Sequence, residues 1–172
     1  MSNTNNPHGL LPLGLTIGGG AVFIEEFQKA VGYATALFRY DAVNRVADGS
    51  IEASATPGTT FYSGVTMNRG AASLATSHAV IVNPDALYEV QCGVAGLLVT
   101  DMGLNANLVL NAGDAVTGRS GHIINTAGAD VTNTLDVHLL QLFNVQGNAY
   151  GPYARIEVMF NKHRMAPATV GV

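Results

Sequence analysis

Leu104, Ala106, Leu108 and Leu110 alternate with Asn105, Asn107 and Asn111. Period two over that stretch predicts a half-buried strand whose outer face is lined with neutral amides. Ile156, Val158 and Phe160 against Arg155, Glu157 and Asn161 repeat the pattern, as do Leu135, Val137, Leu139 and Phe143 against Thr134, Asp136 and His138. The β-branched run His78 to Val82 stops at Asn83-Pro84-Asp85, where proline presets φ for a turn, and Leu87 to Cys92 alternates again. Asp48-Gly49, between Val43–Ala47 and Ile51–Ser54, has the signature of a tight type I′ hairpin. Pro57-Gly58 predicts the next turn, ahead of Thr59–Val65.

Phe23 to Phe38 reads two ways. Phe23, Ile24, Phe27, Val31, Ala34 and Phe38 fit a helical stripe, but Gly32 interrupts it and no capping residue directly follows Gly18-Gly19-Gly20. Val22, Phe23, Ile24, Phe27, Val31 and Tyr33 are β-favouring types, so the segment is assigned to strand. Short strands with Gly and Pro punctuation predict an all-β fold, an antiparallel barrel or sandwich. One β domain is expected over 21–164, with an extended N-terminal arm at 1–20 and a C-terminal tail at 165–172. The arm leads from Asn3, Asn5, Asn6 and Pro7 into loosely alternating Leu10, Leu11, Leu13, Leu15 and Ile17. Such a segment docks on a neighbour or forms the first edge strand. Pro7, Leu10 and Leu11 at one end and Met165, Pro167 and Val170 at the other are the candidate partner-binding residues.

Charge changes this picture. Asp, Glu, Lys and Arg make up 12% of the chain, against roughly 25% in soluble globular proteins. With Gly, Asn, Thr and Ser in their place, much of the surface is expected to face other protein in a repeated assembly. The net charge is −4 and the densest basic cluster is Lys162-His163-Arg164, too little for direct nucleic-acid binding. No apolar run approaches the roughly 20 residues of a membrane-spanning helix, and Met1–Pro7 lacks the basic start of a secretory signal, so cytosolic synthesis is expected. The single Cys92 allows no intrachain disulfide.

Candidate chemistry is thin. Gly18-Gly19-Gly20 lacks the Lys-Ser/Thr pair of a phosphate loop. His8, His78, His122, His138 and His163 are too far apart in sequence for the close ligand pairs common in zinc sites. Glu25 and Glu26 point to opposite faces if extended, and Asp101 and Asp114 flank the Leu104 strand. Gly118-Arg119-Ser120-Gly121 falls one position short of a nucleophile elbow, which leaves Ser120 on a loop between strands. Neither catalysis nor a cofactor nor a metal is expected.

The stretches Thr56–Val65, Asn83–Gln91, Asp101–Asn107 and Asn148–Arg164 together resemble the head decoration, or cement, proteins of tailed bacteriophages, and the likeness runs from about Asn5 to Met165. The resemblance implies a non-catalytic virion protein on the capsid exterior, bound to the major capsid protein after the shell expands, and often a homotrimer. It implies no catalytic residues. The chain is too short and too β-rich to resemble a major capsid protein itself. A capsid-displayed host- or glycan-binding module and a tail structural protein are the alternatives. Absent tryptophan and 7% aromatics weigh against a sugar site.

Overall fold

The computed structural model describes residues 3–15, 21–58, 61–166 and 171. In chain order its strands are β1 (Leu11–Leu15), β2 (Ile24–Gln28), β3 (Ala42–Arg45), β4 (Ile51–Ala53), β5 (Gly64–Thr66), β6 (Ser77–Ile81), β7 (Ala86–Gln91), β8 (Asn105–Val109), β9 (Ile123–Asp130), β10 (Val137–Leu142) and β11 (Arg155–Phe160). They form a six-stranded sheet, β1-β7-β11-β10-β8-β9, and a five-stranded sheet, β2-β6-β5-β3-β4. Every ladder is antiparallel and neither sheet closes on itself. The fold is all-β, and of the two expected architectures it is the sandwich.

Alternation explains where the side chains go. β11 buries Ile156, Val158 and Phe160 and leaves Arg155, Glu157 and Met159 partly exposed. In the main core, Ala42, Val65 and Ile81 from the five-stranded sheet join Tyr88, Leu108, Val137 and Ile156 from the six-stranded one. Phe160 stacks on Tyr62 at 4.9 Å and meets Tyr88 edge-on at 5.4 Å. The next residues along β3 and β6, Val43 and Val80, point the other way and join Leu37, Ile51 and Val82 in a second, smaller core. β3 and β6 are therefore covered on both faces, whereas β2, at the sheet edge, is mostly exposed. Each Leu, Ile, Val or Phe so placed contributes roughly 1.5–3 kcal/mol relative to exposure.

The Phe23–Phe38 segment contains strand β2 and no helix. Beyond β2 it crosses the second core in extended and turn conformations, where Lys29 bridges Ile51 and Leu37 bridges Gly70.

Four details depart from expectation. At the β3–β4 hairpin Gly49 has φ +87° while Asp48 keeps a negative φ. Gly49 N–H donates to Val46 O (3.0 Å) and Val46 N–H to Ser50 O (2.9 Å). This is a three-residue loop closed by a left-handed glycine, because a type I′ turn needs positive φ at both central residues. The Asp48 carboxylate holds it by accepting from Ser50 N–H and Oγ–H at 2.9 and 2.6 Å.

The amide face of β8 is not wholly outward either. Asn105 is fully buried; its Nδ2 donates to Thr132 O (3.0 Å) and its Oδ1 lies 2.7 Å from His138 Nδ1. Asp136, expected on an outer face, is also fully buried and accepts from the backbone N–H groups of Gly58 (2.8 Å) and Leu108 (3.0 Å).

The N-terminal arm is part of the sandwich. Leu11–Leu15 is edge strand β1, paired with β7, and Leu10 lies fully buried in the main core, so it cannot serve as an exposed clamp. At the other end Gly171 is buried and donates its N–H to Val131 O (2.8 Å), so the tail returns to its own chain.

Gly64, inside β5, has φ +147°, and a Cβ there would overlap the Ile81 carbonyl oxygen. Gly147 has φ +86° but open space around it. Gly64→Ala is expected to destabilise by at least about 3 kcal/mol and Gly147→Ala by about 1 kcal/mol, read as urea-unfolding midpoints.

Candidate functional site

The fold brings Asp41 to two residues that lie far from it in sequence and close to each other, Ser120 and His122. The group has the composition of a hydrolase triad, but its wiring differs. Ala42 N–H donates to His122 Nδ1 at 3.3 Å, so the imidazole proton belongs on Nε2, which faces Asp41 Oδ1 at 3.4 Å. The Ser120 hydroxyl bonds Asp41, and its Oγ accepts from His122 N–H at 3.1 Å. Neither ring nitrogen reaches the hydroxyl, and all three side chains are buried. Nucleophilic catalysis needs the imidazole on the hydroxyl. Here the three groups instead fasten the 112–122 loop to the start of β3. Burial pushes the Asp41 carboxyl up to about 6 and the His122 imidazole down to about 4.

The other residues considered for chemistry are also structural. Asp101 accepts from Leu98 N–H at 2.8 Å and caps the short 3-10 turn Val99–Asp101. Asp114 organises a surface turn by accepting from Val116 N–H and the Thr117 hydroxyl. Glu25 and Glu26 are consecutive on β2, on opposite faces. His78 is held between the hydroxyls of Thr66 and Thr76, both at 2.9 Å. His163 Nδ1 accepts from Met165 N–H at 3.1 Å. Among the described residues no three His, Cys, Asp or Glu side chains are grouped as metal ligands.

What the molecule does have is a cleft of about 500 Å³ between the N-terminal segment, the 145–148 turn and the 119 loop. Its fixed parts spend their polar atoms on backbone. Gln91 Nε2 donates to Thr4 O (2.8 Å) and Tyr153 O (3.0 Å), while Oε1 accepts from Asn6 N–H (2.9 Å). The Asn148 amide ties Phe143 and Arg155 in the same way. Asn3 bonds Ala149 and Pro152, which straps the chain's start across the end of the sheet.

Beneath the cleft lies Glu89 of β7, fully buried. Arg155 Nε and Nη2 donate to its two oxygens, each at 2.6 Å, and His8 Nε2 lies 2.9 Å from Oε1. Burial alone would raise this carboxyl; Arg155 and His8 outweigh it and hold the group at about 2. Three non-glycine residues among those described have positive φ, and two of them, Tyr40 (φ +75°) and Tyr153 (φ +60°), line the cleft. Such conformations cost about 1–3 kcal/mol each.

A second exposed feature is the β7–β8 connection. Val94, Leu98 and Val99 are 73%, 61% and 65% exposed, and no charge falls between Cys92 and Asp101. The loop is nonetheless fixed. Leu97 and Gly151 exchange backbone hydrogen bonds at 3.0 and 2.9 Å, Gly96 N–H donates to Gly93 O, and the Thr126 hydroxyl donates to Gly96 O.

Of the residues expected to bind partners, Pro7 is exposed on the strapped segment, Leu11 is half-buried in β1 and lines the cleft, and Met165 is 69% exposed. Pro167 and Val170 lie outside the described residues. The loop itself escaped the sequence reading, although Gly93-Val94-Ala95-Gly96-Leu97-Leu98-Val99 carries a signal, aliphatics without alternation between glycines. The chain matches no known family model, no characterised protein and no solved structure.

Two pH effects follow. Glu89 lies below its ordinary 4.5 in the folded chain, so its contribution is complete above that pH and is lost as pH falls toward 2. Allowing for solvent screening of the partly exposed Arg155, that contribution is about 2 kcal/mol. Urea midpoints should fall across this window in the parent chain, and Glu89→Gln should lose the step and start about 2 kcal/mol weaker at neutral pH. His122, also depressed, should stay uncharged on acidification to about 4, read from its ring ¹⁵N shifts, with stability lost from 6.5 downward through that value.

Proposed function

We propose that this chain is a non-catalytic virion protein that decorates the capsid exterior of a tailed phage, joined to itself as a homotrimer and to the major capsid protein, and that it stabilises the expanded head. The observation that carries this reading is the rigid, uncharged loop presenting Val94, Leu98 and Val99. Exposed aliphatics held by backbone hydrogen bonds have little conformational entropy left to lose on burial, which favours contact with protein. Interfaces within permanent oligomers are the more apolar kind, so the loop is assigned to self-association. The neutral amide and hydroxyl surface then serves the shell, through direct and water-bridged hydrogen bonds that desolvate few charges.

The energetic logic is mass action. A protein that binds the assembled shell and not its separated subunits stabilises the shell by about 2.7 kcal/mol per site at 100-fold saturation. Trimerisation gathers three weak contacts at one lattice position and raises their effective concentration.

The purified chain should sediment as a trimer and co-pellet saturably with expanded heads of the phage that encodes it. Val99→Asp combined with Leu98→Asp should give a folded monomer that binds heads at least about tenfold more weakly. A parent chain that stays monomeric and ignores expanded heads at every concentration would remove the proposal.

A further inference from the structure

The cleft beside the N-terminal strap carries a second function, independent of assembly. We infer that it binds a sugar residue bearing a carboxylate, at a site built around Arg119, Gln146 and Tyr153.

Charge is the first argument. The chain is acidic overall, at −4, yet the cleft lining contains no Asp or Glu and two of the eight Lys and Arg side chains, Arg119 and Arg155. Arg155 is committed to Glu89 through Nε and Nη2. Arg119 is exposed and makes no side-chain hydrogen bond or ion pair among the described residues. One uncommitted guanidinium fits one carboxylate, with the planar two-donor geometry that such pairs use.

Unspent polar groups are the second. The side chains of Asn6 and Gln146 line the cleft without a hydrogen bond to the described residues, whereas the Gln91 and Asn148 amides are used up holding its walls. Free amides beside fixed walls suit a ligand with several hydroxyls. Of the aliphatic side chains only Leu11 and Val145 reach the lining, too little for an apolar ligand or the side-chain anchors of a bound peptide. A phosphate would be better met by converging cations or a cradle of backbone N–H groups. A volume near 500 Å³ lies within the range of small-ligand sites.

Strain is the third. Tyr40 and Tyr153 both hold left-handed backbone conformations in the cleft wall, where side chains other than glycine are rarely found. Backbone held this way concentrates at ligand sites because the surroundings over-determine it. The partly exposed Tyr153 also supplies aromatic surface, whereas the Tyr40 ring is buried in the core with Arg39 over it.

The test is ligand-observed NMR and calorimetry on the full chain with glucuronic acid and N-acetylneuraminic acid, with glucose as the neutral match and a glutamate-rich peptide as the protein-derived carboxylate. Saturable binding of at least one acidic sugar is expected, with glucose at least about tenfold weaker. Arg119→Gln should weaken the acidic sugar about tenfold while leaving the melting temperature unchanged, since the side chain is exposed. Amide shifts on titration should centre on Arg119, Gln146 and Tyr153. The inference is overturned by no saturable binding of either acidic sugar at millimolar concentration, by equal binding of glucose, by tighter binding of the peptide, by an unaffected Arg119→Gln, or by shifts confined elsewhere.

Discussion

A carboxylate with no surface in water stays ionised only where other groups replace the water it has lost, and Glu89 imposes that requirement on the whole six-stranded sheet. It lies on β7, which is flanked by β1 and β11, and its register partners are Leu11 and Glu157. Arg155 reaches it from β11 and His8 from the strap that leads into β1. A shift of either neighbour by one residue would turn Leu11 or Arg155 to the opposite face. Buried ion pairs are weak evidence for stability in themselves. Here the pair defines the register of three strands and, with it, the floor of the cleft.

Other charged side chains are also turned inward. Of the eight basic and twelve acidic side chains, Lys29, Asp41, Glu89, Asp101, Asp136 and Lys162 are buried. Asp41, Asp101 and Asp136 each accept backbone N–H groups of loops, and Lys162 donates to Gly58 O. Charges that would keep the exterior wet are thus used to tie loops to strands. Burial takes charged residues in about the same proportion as the rest, so the exterior keeps the low charge fraction of the sequence. A loop fastened from inside leaves its outward residues free to be neutral, as in the stretch between Cys92 and Asp101.

Strand positions were legible where one face meets core and the other meets solvent, as in β11, whose alternation survives intact. The reading failed where a polar residue finds partners inside. Asn105 and Asp136 occupy outward slots of a period-two pattern, and nothing local distinguishes them from solvated residues; Thr132, His138, Gly58 and Leu108 supply the difference. The Asp41–Ser120–His122 group was invisible for a related reason, because its contacts join residues about eighty apart. Asp48-Gly49 marked the hairpin correctly but not its geometry, since Asp48 gains more from bonding Ser50 in a negative-φ conformation than from the positive φ of a type I′ turn. The cleft could not be read at all, being assembled from segments spread between Asn3 and Arg155.

The ends were expected to act as extended clamps, and their fastening changes the physics of any assembly. An extended arm must lose about 1–2 kcal/mol of backbone entropy per residue when it docks on a neighbour. In this chain Leu10 is already in the core, Asn3 and Gln91 hold the strap, and Gly171 is bonded to Val131. That entropy is lost during folding, once, within the subunit. The loop carrying Leu98 and Val99 is similarly prepaid: Gly96 has φ +80°, and a Cβ there would meet Gly151 C and Pro152 N at 2.7 Å, so only glycine allows the close pairing of Leu97 with Gly151. Contact through such a loop gains apolar burial with little ordering left to oppose it. In the assembly proposed above, the contacts fall to the fixed loop and not to the ends.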